Sequence, residues 1–138
     1  MSQENVEIVR AVFDAWNAGD MDAVAAQHDP NVIWPPFEGW PEAETLVGRE
    51  ACMNQYERMR AAFDVDTAEP ISDFVAAGDR VVVRVNWRGE GQGPDMNLEL
   101  TRVYTVRKGK IFMVEDFWDH AEALEALGLS EQDAHADS

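Results

Sequence analysis

The sequence predicts an α+β fold in which three helices from the first half of the chain pack into the concave face of a curved, mainly antiparallel sheet. Apolar residues recur at helical spacing up to about residue 63 and alternate along the chain after about residue 70. The predicted strands are joined by short turns such as Lys108-Gly109, which suit antiparallel neighbours. Each helix has one apolar face to bury, and a strongly curved sheet offers the matching surface.

The helices are predicted from apolar spacing and from the residues that end or cap them. The first runs from the N-terminal residues to Gly19, and Asp20 is positioned to cap a second that reaches about His28. The third covers about residues 49–63, and one face of it is marked by Cys52, Met53, Tyr56, Met59 and Phe63. A short last helix, at about 122–127, is expected to follow the sheet, with Asp119 as its cap.

The strands are predicted from period-two alternation between turn signals. Asp29-Pro30-Asn31 is predicted to be a turn before a short strand at 32–34, which Pro35-Pro36 stops. Residues 37–44 are expected to form an irregular loop that includes Trp40. Four further strands, joined as an antiparallel meander, are predicted at 71–76, 80–88, 96–107 and 110–118.

Composition limits the classes of partner. The 138 residues fit one domain, placed at 1–129, and the acidic segment 130–138 is predicted to be a disordered tail. Eleven Lys and Arg against 27 Asp and Glu give a formal charge of −16, which disfavours nucleic acid and anionic membranes. With no membrane-length apolar run and no signal-peptide pattern, a cytoplasmic location is expected. Cys52 and three scattered histidines offer no metal-ligand spacing, so no metal or cofactor is expected.

The segment 110–118 carries the residue best suited to acid–base chemistry. Strict alternation puts Phe112, Val114, Asp116 and Trp118 on one face of this strand. If that face looks inward, Asp116 is a carboxyl group among large apolar side chains, an environment that raises a carboxyl pKa towards neutrality. Asp116 is then the expected catalytic acid or base. The competing interpretations are that it faces solvent or pairs with Arg102 or Arg84 across the sheet.

An apolar pocket between the helices and the concave face of the sheet is expected to take a small hydrophobic molecule, because the chain is rich in tryptophan and in adaptable methionine. Its expected lining is Trp16, Trp34, Met53, Tyr56, Met59, Trp87, Tyr104, Phe112, Val114 and Trp118. The simpler interpretation of each is that it fills the core. His28 and His120 fall at the ends of predicted elements, where a histidine needs no catalytic reason.

Three stretches resemble the SnoaL-like branch of the nuclear-transport-factor-two-like superfamily. They are residues 4–20, with Phe13-Asp-Ala-Trp-Asn-Ala-Gly-Asp20 and the later Asp29-Pro30; residues 77–84; and residues 109–128. The resemblance implies a cone-shaped, cystatin-like α+β roll that forms a homodimer. It also implies relatives that include ketosteroid isomerases, polyketide cyclases, limonene epoxide hydrolases and proteins that only bind ligands or partners.

The catalytic residues of these relatives correspond to this chain only in part. Ketosteroid isomerases carry a general-base aspartate before a proline, whereas Trp34 precedes Pro35 here. The Arg-x-Asp of limonene epoxide hydrolases is missing from the predicted strands. SnoaL cyclases use a late-strand aspartate as acid/base, and Asp116 or Asp119 is its counterpart. The resemblance therefore implies a cofactor-independent isomerase or cyclase. One alternative is a non-catalytic ligand-binding or protein-interaction module. Another is a scaffold whose interior is filled by its own tryptophans.

Overall fold

A seven-stranded sheet curves around helices in the computed structural model, which describes residues 2–36 and 44–128. The helices are α1 (Ser2–Ala18), α2 (Met21–Ala26), α3 (Arg49–Ala61) and α4 (His120–Ala126). The strands are β1 (His28–Trp34), β2 (Leu46–Val47), β3 (Val65–Pro70), β4 (Val75–Ala77), β5 (Arg80–Glu90), β6 (Met96–Arg107) and β7 (Lys110–Phe117). The predicted loop with Trp40 and the predicted tail 130–138 lie outside the described residues.

The order of the strands confirms the predicted fold class. The sheet runs β2-β1-β7-β6-β5-β3, and β4 pairs with β5 beyond the end of β3. β5, β6 and β7 form the predicted antiparallel meander, whereas β1 lies parallel to β7. The described helices include none that is long and apolar enough to cross a membrane.

Two apolar clusters lie on opposite faces of the sheet. On the concave face, α1, α2 and α3 bury Val9, Phe13, Val24 and Tyr56 against inward residues of β5 and β6 such as Val83. On the convex face, α4 buries Leu124 and Ala123 against Val82 and Val103, and Phe117 packs beside them. The caps predicted for the second and last helices are both present. Asp20 accepts from the backbone N–H of Ala23 and Asp119 from that of Ala121.

The prediction of a single strand at 71–76 is wrong. Two shorter strands, β3 and β4, pair with successive parts of β5 instead. Between them the chain leaves the ladder at Ser72, whose hydroxyl accepts the backbone N–H of Arg84 at 2.9 Å. β3 gave no alternation signal because its sequence, VDTAEP, is short of apolar residues.

The predicted turn at Asp29-Pro30-Asn31 is also wrong, because these residues belong to β1. The parallel pairing with β7 is irregular there: His28 lies opposite Ile111, and the next registered pair is Ile33 with Met113. Pro30 has no N–H to donate, and an interrupted ladder tolerates it.

The expected assignment of residues to the two faces of β7 is wrong in part, because this strand contains a β-bulge. Val106 pairs with Ile111 but Thr105 pairs with Met113, so Phe112 is an extra residue. Ile111 and Val114 both point into the concave core, contrary to strict alternation. Asp116 lies opposite Arg102, the two side chains meeting on the concave side of the sheet.

Candidate functional site

A buried ion pair occupies the floor of the cone. Arg102 on β6 and Asp116 on β7 are cross-strand neighbours, and Nε of Arg102 donates to Oδ1 of Asp116 at 2.6 Å. Only 13% of the Arg102 side chain and 1% of the Asp116 side chain are exposed. The other carboxylate oxygen of Asp116 accepts from the indole N–H of Trp34 at 2.8 Å. Asp116 is therefore a paired carboxylate held on both oxygens, and the pairing with Arg102 is one of the alternatives that the sequence left open.

Aromatic rings surround this pair. The Tyr56 ring stacks on Trp34 with centroids 4.7 Å apart. Arg102 lies over Trp34 at 5.3 Å and near Tyr104 at 6.0 Å, measured from its guanidinium carbon to each ring centroid. Its Nη1 also donates to the Tyr56 hydroxyl at 3.3 Å. The guanidinium thus combines a carboxylate partner with cation–π contacts, which limits its movement.

Burial keeps the two phenols beside this guanidinium protonated. It raises the pKa of Tyr56 and of Tyr104 above the ordinary value, and the charge on Arg102 only partly opposes the rise. Burial also disfavours the charge on Arg102 itself, but the neighbouring Asp116 carboxylate outweighs it and raises the Arg102 pKa well above its ordinary value. The site therefore presents a fixed cation and two neutral O–H groups, which are the groups that stabilise a carbonyl oxygen as it gains charge.

The space inside the cone is small. An interior cavity of about 40 Å³ is bounded by all three helices of the concave face and by β3, β5 and β6. Each water needs roughly 10–15 Å³ measured in the same way, so this volume suits two or three waters and not an aromatic molecule. Its walls include Trp16, Tyr56, Met59, Trp87, Arg102 and Tyr104.

A larger cleft adjoins the cavity at the wide end of the cone. It encloses about 390 Å³, within the range of roughly 300–1,000 Å³ that is usual for small-molecule sites. Trp34, Pro35, Leu46 and Leu98 line it together with residues of α3. Met59, Trp87 and Arg102 line both the cleft and the cavity, and so form the partition between them.

A second buried carboxyl, Asp66 on β3, was missed in the sequence. Its Oδ1 accepts the indole N–H of Trp16 at 3.2 Å and a short hydrogen bond from the indole N–H of Trp87. Its Oδ2 is buried with no hydrogen-bond partner among the described residues. Burial raises the pKa of Asp66, although both indoles and the charge on Arg60 act to lower it. The sequence could have pointed to Asp66 only if β3 had been recognised as a strand.

His28 is also buried, at the start of β1. Its Nδ1 lies 2.7 Å from the carbonyl oxygen of Val24, which can only accept, so Nδ1 carries the proton. Nε2 is then an acceptor, buried and without a partner among the described residues. Burial lowers the pKa of His28 to about 4, with a smaller contribution from the positive charges of Arg102 and Arg49. The imidazole is thus neutral near pH 7.

The other expected pocket residues are dispersed. Val114 is buried in the concave core and Met53 packs against that core, but neither borders the cavity or the cleft. The extra residue Phe112 does not line a pocket. Its ring packs beneath Arg107, with 4.5 Å between the guanidinium carbon and the ring centroid. Trp118 follows the end of β7 and is 47% exposed. It borders a shallow outer hollow of about 200 Å³ that Asp116 also reaches. His120 begins α4, with its Nδ1 3.1 Å from the hydroxyl oxygen of Thr101.

The described residues contain no group of three or more His, Cys, Asp and Glu side chains arranged to hold a metal ion. Of Arg102, Asp116, Tyr56 and Tyr104, Arg102 lines the cleft, and Asp116 and Tyr56 hold its guanidinium in place. Arg102 can therefore bind and polarise an oxygen atom of a molecule in this cleft, whereas the two tyrosines border the cavity.

Comparisons with known proteins identify relatives of this fold. The profile of the SnoaL-like domain matches residues 9–114, whereas the curated proteins contain no significant match. Bal32a, from a soil-derived mobile gene cassette, has a similar structure with a TM-score of 0.76 and 24% identity, over 86% of this chain and 92% of that one. TerC, co-crystallised with polyporic acid, has a TM-score of 0.70 and 21% identity, over 91% and 98%. A proposed polyketide cyclase from Sinorhizobium meliloti has a TM-score of 0.66 and 26% identity, over 80% and 93%.

Proposed function

The chain belongs to the SnoaL-like domain family, and on that basis we propose that it binds a small aromatic or polyketide-like carbonyl compound in the cleft beside Arg102. The single observation that carries this proposal is that Arg102, a fixed and buried cation, lines an otherwise largely apolar cleft of about 390 Å³. The ring of the ligand would lie against Trp34, Met59 and Trp87. Its carbonyl oxygen would accept a hydrogen bond from Arg102.

The relatives support a small organic ligand in this fold. TerC was crystallised with polyporic acid, and the protein from Sinorhizobium meliloti is a proposed polyketide cyclase. The charge of the site favours a neutral ligand over a carboxylate, because Asp116 already neutralises Arg102 and the chain has a net charge of −16.

Binding is tested with two probes that differ in one oxygen, 4-fluoroacetophenone and 1-ethyl-4-fluorobenzene. We expect the ketone to bind about tenfold more tightly, because one hydrogen bond to a charged group contributes roughly 1.5 kcal/mol or more. Dissociation constants come from ¹⁹F NMR titration. Leu98→Trp should obstruct the cleft and weaken binding. The matched control, Asn97→Trp, alters the neighbouring residue on the opposite face of β6 and should not. Equal affinity for both probes would rule out recognition by Arg102.

The second candidate is proton transfer next to the carbonyl, with Asp116 as the acid/base of an isomerase or cyclase. It is favoured by the position of Asp116 between Arg102 and the outer hollow. The proton would pass to a carboxylate oxygen that gives up one of its two present hydrogen bonds, while Arg102 stabilises the enolate oxygen.

Proton transfer is tested by incubating 4-fluoroacetophenone with the protein in D₂O and following deuterium entry into its methyl group by NMR. We expect exchange at least about tenfold faster than in buffer, since general acid–base catalysis typically contributes more than this. Asp116→Asn should return it to the buffer rate, whereas Glu115→Gln, on the opposite face of β7, should not. Binding without accelerated exchange would favour the alternative, a non-catalytic ligand-binding module.

A further inference from the structure

Trp87 separates the cleft from the interior cavity. Of the three residues that line both spaces, Arg102 is held by Asp116, and Met59 is a flexible side chain. The Trp87 indole is the bulkiest part of the partition. It is only partly buried, and it lies against the open cleft on one side.

A hydrogen bond from the indole N–H of Trp87 holds its ring in place. This N–H donates to Oδ1 of Asp66, which also accepts from Trp16. Asp66 lies on β3 opposite Gly89 and lines neither the cleft nor the cavity. Any influence of Asp66 on a ligand must therefore pass through the two indoles.

The hydroxyl-bearing part of the site is on the far side of this partition. Tyr56 and Tyr104 line the cavity but not the cleft. The cavity, at about 40 Å³, is too small to accept an aromatic ligand as it stands. A ligand in the cleft can reach Arg102 with Trp87 in place, whereas its contact with Tyr104 requires Trp87 to move.

We propose that Asp66 is a positioning residue that holds Trp87 as a gate between the cleft and the cavity, and so sets how deeply a ligand enters. With the indole bound to Asp66, the ligand remains in the cleft beside Arg102. When the hydrogen bond breaks and the ring turns, the two spaces join and the ligand oxygen reaches the hydroxyl groups. The depth of binding, but not the gate itself, rests on the proposed function.

Three variants separate the gate from simple changes in volume. Asp66→Asn keeps the size of the side chain and weakens the hydrogen bond by removing its charge. Trp87→Phe removes the N–H and the gate together. The matched control, Trp118→Phe, makes the same chemical change at an exposed indole that lines neither the cleft nor the cavity. Because Trp87→Phe leaves Asp66 unchanged, it keeps the proposal testable if Asp66→Asn fails to fold.

Xenon tests the gate without any assumption about the ligand. Val12, Val24 and Val85 line the cavity but not the cleft, so xenon-dependent shifts of their methyl groups report entry. We expect the xenon exchange rate to rise several-fold in Asp66→Asn. In Trp87→Phe it should rise at least about tenfold, because this variant loses a whole hydrogen bond to a charged group. In Trp118→Phe it should stay within twofold of the wild-type rate. Equal rates in the wild type, Asp66→Asn and Trp87→Phe would overturn the proposal.

The same variants then report the depth of ligand binding. With 4-fluoroacetophenone, nuclear Overhauser contacts to Leu98 mark the cleft, and contacts to Tyr104 mark the cavity. We expect contacts to Leu98 to dominate in the wild type and those to Tyr104 to grow in Trp87→Phe. If the variants change the xenon exchange rate as expected but the ketone does not bind, the gate is supported and the proposed function is wrong. If the ketone binds but the xenon exchange rate is the same in all variants, the proposed function is supported and the gate is wrong.

Discussion

Replacing Arg102 by methionine is expected to lower the free energy of unfolding by about 3–5 kcal/mol, the usual cost of leaving one partner of a buried ion pair without the other. The Asp116 side chain is 1% exposed. After the substitution its carboxylate would keep only the hydrogen bond from Trp34. The loss is measured by urea denaturation at pH 7, from the change in midpoint at constant slope.

Arg84→Met is the matched control for that experiment. Arg84 pairs with Glu99 at 3.6 Å on the exposed convex face, where the side chains are 45% and 62% exposed. An exposed pair of this kind contributes roughly 0–1 kcal/mol. If the two substitutions cost the same, the buried pair has no special role in stability.

A double substitution separates the charge from the packing. In Arg102→Met with Asp116→Asn, no uncompensated charge remains, so the double variant should be more stable than Arg102→Met alone. A double variant whose loss equals the sum of the two single losses would show that Arg102 and Asp116 do not interact energetically.

Acidification from about pH 6.5 to pH 4 is expected to remove about 3 kcal/mol of stability through His28 alone. Unfolded histidine takes up a proton near its ordinary pKa of 6.5, whereas folded His28 does so only near a pKa of about 4. Between these values the unfolded state binds more protons, so stability falls as the pH falls. This contribution is fully present above pH 6.5.

His28→Asn isolates the effect of that imidazole. Asparagine cannot titrate, and its amide can still donate to the Val24 carbonyl in place of Nδ1. The variant should be less stable than the wild type at pH 7, and the difference should shrink by about 3 kcal/mol by pH 4. The raised pKa of Asp66 has the opposite effect on stability, but it is common to both proteins and cancels in the comparison. A stability difference independent of pH would contradict the lowered pKa of His28.

The sequence predicts the fold well because its signals there are local. Apolar spacing locates α1 and α3, and the Lys108-Gly109 turn makes β6 and β7 antiparallel neighbours. β3 escapes prediction because its pairing with β5, and not its own composition, makes it a strand. Asp66 was missed for the same reason.

The site itself depends on a geometric detail that periodicity does not encode. If the residues of β6 and β7 paired one by one outward from the Lys108-Gly109 turn, Arg102 would lie opposite Glu115. The bulge at Phe112 shifts the partner by one residue, to Asp116, and brings the carboxylate onto the concave side of the sheet beside Arg102. Asp116 could therefore be selected from the sequence, and Arg102 was one of the two partners considered for it, but the choice between Arg102 and Arg84 and the second partner, Trp34, could not be predicted.

The parallel pairing of β1 with β7 has a consequence for how the chain folds. His28 lies beside Ile111, and the backbone N–H of Ile111 donates to the carbonyl of Gln27 at 2.8 Å. Contacts between such distant parts of a chain form late and slow the search for the native topology. During synthesis, β1 emerges well before its partner strand β7. The N-terminal helices must therefore wait for β7 before the sheet beneath them is complete, and the buried pair of Arg102 and Asp116 cannot form earlier.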